Sequence, residues 1–206
     1  MKLLSTMSIS LCLIAANANA KSDINFYDYS IGVSYQSLTA SDYRTATDGP
    51  LIEGGNAHAI GLYYKGEPLP YIQFATGLDY MYMDDNAPFV QTVKNEFTGQ
   101  VSNKESSISG FGMYAEAGLK FSPASLDRLS FGILGGYRYN NIERSVFRCD
   151  SCESQELNDF ESSMYAKGFI EYQLTQDVHI QLNYSNYFAD NGFNNGLGIH
   201  ISVFGF

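Results

Sequence analysis

The feature that most constrains this chain is an alternation of apolar and polar residues that recurs eight times after residue 26. In the segment around Ile60, Leu62 and Tyr64, for example, every second residue is apolar. A period of two places successive side chains on opposite faces of a β-strand. The sequence therefore predicts an all-β chain with eight strands, at roughly 27–38, 57–64, 71–82, 108–121, 128–142, 163–174, 178–188 and 196–206.

The second face of these strands is polar, rich in glycine and balanced in charge. A soluble sandwich or a lipocalin-like barrel also alternates, but its charges face water and need not balance. We therefore assign this face to the narrow lumen of a closed barrel with an apolar outside, where ions must pair because solitary ones are costly. The alternative is a gated pore, in which the charges change partners to open a water path. The predicted lumen network consists of Asp28, Asp79, Glu116, Glu171, Lys120, Arg128, Arg138 and Lys167.

The lengths of the connections support an up-and-down barrel. Short, turn-like links at 65–70, 122–127 and 175–177 alternate with long links at 39–56, 83–107 and 143–162. This order places the short turns and both termini on one side, as in membrane barrels with periplasmic turns and extracellular loops. The sequence therefore predicts an eight-stranded antiparallel transmembrane β-barrel, with periplasmic termini and extracellular long loops.

Composition excludes several classes of function. The chain of 206 residues carries a net charge of −10, with a sequence pI near 4.6, so it has no positive field for nucleic acid. With 45% hydrophobic and 17% charged residues, it is also not a typical disordered chain. No apolar run after residue 20 is long enough for a spanning helix, but spanning strands need no such run.

The first twenty residues read as a secretory signal peptide. Lys2 is followed by a mostly apolar run to Ala16 and then by the small-residue pattern Ala18-Asn19-Ala20. An N-terminal anchor helix is the weaker alternative, because the run is short. We expect cleavage after Ala20, a barrel domain over 21–206, and export through the secretion machinery. Without Lys2 the exported chain carries a net charge of −11.

Two cysteines remain in the exported chain, in the motif Cys149-Asp150-Ser151-Cys152. In an oxidising compartment the simplest interpretation is a small disulfide that pins a loop. Free or intermolecular thiols, and a metal or redox site, are the alternatives. A redox motif would open a helix in a βαβ unit, and a zinc site would need two further ligands.

These features together resemble a known family, the small eight-stranded outer-membrane barrels that include the barrel domain of outer membrane protein A and the OmpX/Ail group. The resemblance covers the mature chain and is carried by the secretory start, the alternation, the segment 168–175 and the last strand, 196–206. The aromatic ending, with Phe204 and Phe206, is similar to the signal that the barrel-assembly machinery reads. Both residues are out of phase with Val203, so either a bulge lies near Gly205 or the phase is wrong by one residue.

The same resemblance raises the possibility of an enzyme. The outer-membrane lipid A deacylases use a His-x-Ser pair with a Glu, and His200-Ile201-Ser202 has this spacing. The phase set by Ile199 and Ile201 directs both residues into the lumen, and no carboxylate follows Ser202. The sequence therefore predicts no catalytic residue, metal site or cofactor. We expect His58 at the outer rim of the second strand and His179 as a hydrogen-bonding residue of the lumen.

The long loops indicate where the protein meets its surroundings. They carry nine of the eleven net negative charges of the exported chain. An acidic face can simply be solvated beside anionic lipopolysaccharide, or it can bind a basic partner or divalent cations. We expect a monomeric barrel in the outer membrane of a Gram-negative bacterium, embedded in lipid and lipopolysaccharide, with a structural or surface-interaction role. A narrow porin-like channel and a lipid A-modifying enzyme are the alternatives.

Overall fold

The computed structural model describes residues 28–44, 51–94, 100–146, 152, 154–157 and 160–204. Eight long strands of 10 to 17 residues form its main sheet. Ten residues that rise about 3.3 Å each at a tilt of about 40° span roughly 25 Å, which matches the apolar band of an outer membrane. The strands are β1 (Asp28–Ala40), β2 (Asn56–Leu69), β3 (Ile72–Met83), β4 (Ser107–Phe121), β5 (Leu129–Ser145), β6 (Ser163–Gln173), β7 (Val178–Tyr187) and β8 (Phe193–Phe204).

The sheet closes on itself. Each strand pairs antiparallel with the next along the chain, and β8 returns to β1 through partners such as Tyr35 and Ile199. Closure gives every strand a partner on both sides, which a membrane barrel needs because lipid cannot hydrogen-bond to a free edge. The predicted eight-stranded antiparallel up-and-down barrel is therefore confirmed. Among the described residues no helix is long and apolar enough to span a membrane.

The outward face is apolar, as the alternation predicts. Ile60, Leu62, Ile133 and Leu197 are each 64 to 67% exposed, and similar side chains surround the barrel. Aromatic residues lie toward both ends of this band, including Tyr29 and Tyr172 at one end and Tyr80 and Tyr137 at the other. In water such a surface would be strongly unfavourable, whereas lipid covers it.

Glycines on the inward face give room for large side chains to cross the lumen. A Cβ atom at Gly112 would lie 2.7 Å from Nη2 of Arg138, and one at Gly136 would lie 2.7 Å from the ring of Tyr165. Any larger residue at either position would displace these side chains. The glycine-rich polar face is therefore what allows eight strands to enclose a filled interior.

The connections alternate as predicted. Residues 70–71, 122–128 and 174–177 are short links at the end of the barrel that also holds Asp28 and Phe204. The long links at the other end contain short strands of their own: Tyr43–Arg44 pairs with Leu51–Ile52, Val90–Lys94 with Val101–Glu105, and Gln155–Glu156 with β5. The segment 188–192 completes this end, which we call the rim.

One predicted link is wrong. Residues 65–69 belong to β2, although Lys-Gly-Glu-Pro-Leu-Pro has the composition of a turn. The strand continues because Lys65 is fully buried in the lumen, and a register shift between Gly66 and Leu69 accommodates Pro68. Other strand bounds differ from the prediction by a few residues, mainly because β1, β5 and β8 extend further toward the rim.

Candidate functional site

The charges at the short-link end of the lumen form one cluster. Nζ of Lys65 lies 2.5 Å from Oε2 of Glu171 and 3.4 Å from Oε1 of Glu67. Nζ of Lys120 lies 2.6 Å from Oε1 of Glu67 and 2.9 Å from Oε1 of Glu171. Nδ1 of His179 lies 3.2 Å from the same oxygen of Glu171. Two carboxylates are thus shared by two lysines, so none of these four ions is left alone in a narrow interior.

A second pair occupies the middle of the lumen. Nζ of Lys167 donates a hydrogen bond to Oε1 of Glu116, and the hydroxyl of Tyr165 donates to Oε2 of Glu116 at 2.6 Å. The ammonium also lies 5.8 Å from the ring centroid of Tyr114. Both oxygens of the carboxylate therefore have donors, which is the condition under which a buried ion pair is tolerated.

A third pair lies closer to the rim. Nη2 of Arg138 lies 2.7 Å from Oδ2 of Asp79, and Nε of Arg138 donates to Oδ1 of Asn140 at 3.1 Å. The guanidinium is 1% exposed and lies 5.7 Å from the ring centroid of Phe193. Arg138 thus connects the polar half of the lumen to the apolar residues beneath the rim.

Above Arg138 the lumen is filled by an apolar cluster. Barrel residues such as Leu38 and Met83 are buried there together with Tyr43, Ile52 and Phe160 from the rim connections. These buried side chains occupy the mouth of the barrel above the ion pairs of the lumen. The rim connections therefore fold inward and close the barrel, as the core of a soluble domain would.

The closure is held by an ion pair at the rim. Asp85 accepts hydrogen bonds from Nε of Arg144 at 2.6 Å, from Nη2 of Arg144 at 2.9 Å and from Oγ of Ser106 at 2.7 Å. Burial alone would raise the pKa of Asp85, but the bonds from Arg144 and Ser106 outweigh it and hold the pKa below its usual value. Burial, together with the nearby Asp85 carboxylate, raises the pKa of Tyr43 to about 12.

The comparison with solved structures finds outer-membrane proteins. Ail of Yersinia pestis, solved in complex with the heparin analogue sucrose octasulfate, has a TM-score of 0.50 and 12% identity, covering 87% of this chain and 97% of that chain. The fold is that of the small outer-membrane β-barrels. Neisserial surface protein A has a TM-score of 0.45 and 13% identity over 85% of this chain and 94% of that chain. An outer membrane channel from Pseudomonas putida F1 has a TM-score of 0.37 and 7% identity, over 91% and 98% of the two chains.

No protein-family model matches the sequence, and no curated protein matches it. At the identities of the structural matches, the likeness establishes the fold of this small barrel alone.

Most of the predicted lumen charges come together in the barrel, but Arg128 does not. Arg128 is exposed in the connection 122–128, one residue before β5 begins, so its assignment to the lumen is wrong. Asp28 is the first residue of β1, and its side chain lies outside the described set. Sequence reasoning also missed Lys65 and Glu67, which it placed in a turn.

With these changes the described lumen remains balanced, with four cations and four carboxylates. Breaking a buried pair by removing one partner typically costs about 3–5 kcal/mol, because the other ion is left buried. The lumen network as described consists of Lys65, Lys120, Arg138, Lys167, Glu67, Asp79, Glu116 and Glu171.

The His200-Ile201-Ser202 motif faces the lumen. His200 and Ser202 are each 1% exposed, whereas Ile201 is 41% exposed on the lipid face. The imidazole packs on the ring of Tyr63 with centroids 4.7 Å apart. His58 lies on the outward face, where its Nδ1 is 2.9 Å from the hydroxyl of Tyr35. The predicted phase of β8 therefore holds up to Val203.

Two sequence predictions fall at the edge of the described residues. Cys152 is disulfide-bonded, but Cys149 lies outside the described set, so their pairing stays a prediction. Phe206 and the side chain of Phe204 also lie outside it, so the assembly signal stays a prediction. No group of three or more His, Cys, Asp or Glu residues is placed to hold a metal ion in the ranges that the structure describes.

Proposed function

We propose that this protein is an integral barrel of a Gram-negative outer membrane that acts through its rim and not through its lumen. The observation that carries the proposal is the seal beneath the rim, where Tyr43, Ile52 and Phe160 fill the mouth of the barrel. A lumen closed by an apolar cluster and by ion pairs offers solutes no path, so contact with the surroundings is left to the rim.

Hydrogen bonds between the connections support a preorganised rim. The backbone N–H of Ser41 donates to Gly192 O at 2.7 Å, and Glu161 N donates to Asn191 O at 2.7 Å. Nδ2 of Asn86 donates to Glu53 O at 3.0 Å. These bonds join connections that are far apart in sequence, and a surface that is already ordered loses less entropy on binding.

The hairpin formed by Val90–Lys94 and Val101–Glu105 is the part of the rim best suited to a partner. Its base is fixed, because Ser106 N donates to Phe89 O at 2.9 Å and Phe89 N donates to Oγ of Ser106 at 3.0 Å. Its exposed residues include Val90 and Val101, at 58% and 63%. The hairpin thus presents apolar and polar groups on a fixed support.

We further propose that residues 1–20 direct export and are removed, that residues 21–206 form the barrel, and that the chain is a monomer surrounded by lipid and lipopolysaccharide. In this orientation the short links and both termini face the periplasm. Protease added to intact cells should then cut within 84–106 or 146–162 and spare 122–128 and 174–177. Cleavage of the short links from outside would reverse the orientation.

The alternatives receive less support. A porin-like channel would need the apolar cluster beneath the rim to move, and a lipid A-modifying enzyme would need reactive groups that face lipid, whereas His200 and Ser202 face the lumen. Mass spectrometry of lipid A from cells with and without the protein tests the enzyme directly.

The surface role is tested by replacing residues 91–104 with a Gly-Ser linker, which leaves the bonded base at Phe89 and Ser106 in place. We take attachment to host cells as the surface interaction to test. Adhesion of expressing cells to host-cell monolayers should then fall, while the heat-shifted band of the folded barrel persists. A linker of the same composition in 122–127, at the other end of the barrel, is the control. Equal adhesion with both linkers, together with altered lipid A, would favour the enzyme instead.

A further inference from the structure

The wall of the barrel is interrupted between β5 and β6 near the rim. Strand pairing runs from Leu129 up to Arg138, which is opposite Ser163, and resumes where Glu143 is opposite Glu156. Residues 139–142 of β5 lie between these two ladders. A cavity of about 470 Å³ occupies this side of the wall, with residues 139–142 on one side and residues 157 and 160–162 on the other.

The floor of this cavity, which we call the wall pocket, is fixed by Asn140. Its side chain is 9% exposed, its Oδ1 accepts from Nε of Arg138 at 3.1 Å, and its Nδ2 donates to Glu161 O at 3.2 Å. Its backbone N–H donates to Oγ of Ser162 at 3.0 Å. The lumen ion pair thus holds the pocket in shape from behind.

Apolar residues support the pocket from beneath. Leu157 and Phe160 are 4% and 6% exposed, and Phe160 makes an edge-to-face contact with Phe193 at 4.9 Å. Leu157 N donates to Ile142 O at 3.2 Å, which closes the upper end of the gap. The cavity is therefore built on packed side chains, although it opens outward.

Among the described residues, the groups that line the mouth of the wall pocket are polar and carry no positive charge. Asn141 offers an exposed amide, Glu161 an exposed carboxylate, Ser162 a half-buried hydroxyl, and Tyr139 a phenol that is 48% exposed. Arg138 lies behind the floor and is occupied by Asp79 and Asn140. A phosphate or sulfate would meet a carboxylate here without a cation to offset it.

We propose that the wall pocket binds a neutral saccharide. Amide and hydroxyl groups donate to and accept from sugar hydroxyls, and the carboxylate accepts from them, so the polar lining of the pocket matches a ligand rich in hydroxyl groups. The volume lies in the range of small-molecule sites, toward its lower end. The proposal names a ligand for the surface role, and it rests on that role only for the source of the sugar. The source is either a soluble oligosaccharide or the headgroup of an outer-leaflet glycolipid.

The test uses the full exported chain, folded in uncharged detergent, and titrates it with a panel of neutral oligosaccharides by saturation-transfer NMR and calorimetry. We expect at least one neutral sugar to bind, and we expect sucrose octasulfate, as a polyanion, not to compete for the pocket. Asn141→Ala and Glu161→Ala should each weaken binding about tenfold, because each removes a hydrogen-bonding partner at the mouth.

Asn186→Ala is the matched control, because Asn186 is an exposed asparagine of β7 that does not line the pocket. Its affinity should equal that of the unaltered protein, and the heat-shifted band should confirm folding for each variant. Binding of no neutral sugar, or equal loss in all three variants, would overturn the proposal.

A second arm separates the sources and separates this proposal from the surface role. In nanodiscs with an outer-leaflet glycolipid, a headgroup ligand should exclude the soluble oligosaccharide, whereas in phosphatidylcholine nanodiscs the oligosaccharide should bind. Replacement of residues 91–104 should leave sugar binding intact, since the hairpin does not line the pocket. If the linker affected neither saccharide binding nor adhesion, the saccharide proposal for the pocket would stand. The hairpin would then be rejected as the adhesive element.

Discussion

Two arginines differ in whether the fold buries them, and therefore in how much their removal should destabilise the protein. Arg128 and Arg138 have the same charge and are ten residues apart in sequence. Arg128 lies just before β5, and Arg138 lies within it. Arg138 is 1% exposed and paired with Asp79, whereas Arg128 is exposed in the connection before β5. Only the buried one can leave an ion uncompensated when it is removed.

Arg138→Ala should therefore lower the free energy of unfolding by about 3–5 kcal/mol, because Asp79 would remain buried without its cation. Arg128→Ala is the matched control and should stay within about 0.5 kcal/mol of the unaltered protein. Urea unfolding in lipid vesicles measures both. Equal midpoints for the two variants would contradict the assignment of Arg138 to the network.

The same residues show which parts of the lumen can be predicted from the sequence alone. Alternation sets the phase of a strand, and it places Asp79, Glu116, Lys167 and Glu171 on the inner face. It does not locate the strand end, which is why Arg128 was placed inside the lumen. Lys65 and Glu67 lie in a stretch with the composition of a turn, so nothing local distinguishes them from surface charges.

Pairing is still harder to predict than phase. Lys65 and Glu171 are 106 residues apart in sequence, and their contact depends on the stagger of all the strands between them. Asp85 and Arg144 have the composition of solvated loop charges, and only the folded rim brings them together. The wall pocket likewise depends on where β5 stops pairing with β6 and where it starts pairing with Gln155–Glu156. No residue pattern in the sequence predicts these two positions.

Asp85 predicts a pH dependence at the rim. A carboxyl whose pKa is lowered by folding stabilises the folded state above its unfolded pKa of about 3.9, and this contribution is lost as pH falls through the lower folded pKa. Hydrogen-exchange protection in Val90–Lys94 and Val101–Glu105 should thus decline below about pH 4.

Asp85→Asn should reduce that protection already at pH 7, whereas Asp84→Asn, an exposed neighbour, should retain it. If the two variants had the same protection at every pH, the Asp85–Arg144 pair would not be what holds the hairpin.

At the scale of elements, the barrel and its rim are held by different forces. The strands are stabilised by a ladder that closes on itself, while the described parts of the connections are joined by hydrogen bonds, by the Asp85–Arg144 ion pair and by apolar packing in the mouth of the barrel. A change confined to a connection should therefore alter the rim and leave the barrel folded.

The cysteine motif tests this separation. If Cys149 and Cys152 pair, their ring encloses only Asp150 and Ser151, so the chain-entropy model assigns it less than the roughly 3 kcal/mol of a fifteen-residue loop. The double variant Cys149→Ala, Cys152→Ala should still fold and keep its heat-shifted band. Thiol alkylation before and after reduction checks the bond: two thiols that react without reductant would reject it.

At the scale of the whole molecule, the chain is apolar outside and polar inside along most of its length, and apolar inside beneath the rim. The outer arrangement suits lipid, and the inner pairs satisfy charges that cannot reach water. The apolar cluster then adds a packed core of the kind that ordinarily fills a soluble domain. On the function proposed above, these layers make a barrel that spans a membrane without opening a path through it.

The most direct test of this account is single-channel recording of the full exported chain in planar bilayers, with a porin as the positive control for insertion. A lumen filled by Arg138, Lys65 and the apolar cluster predicts stable insertion with no discrete conductance steps. Reproducible, ion-selective openings of the unaltered protein would contradict the closed lumen and with it the proposal that the barrel acts through its rim.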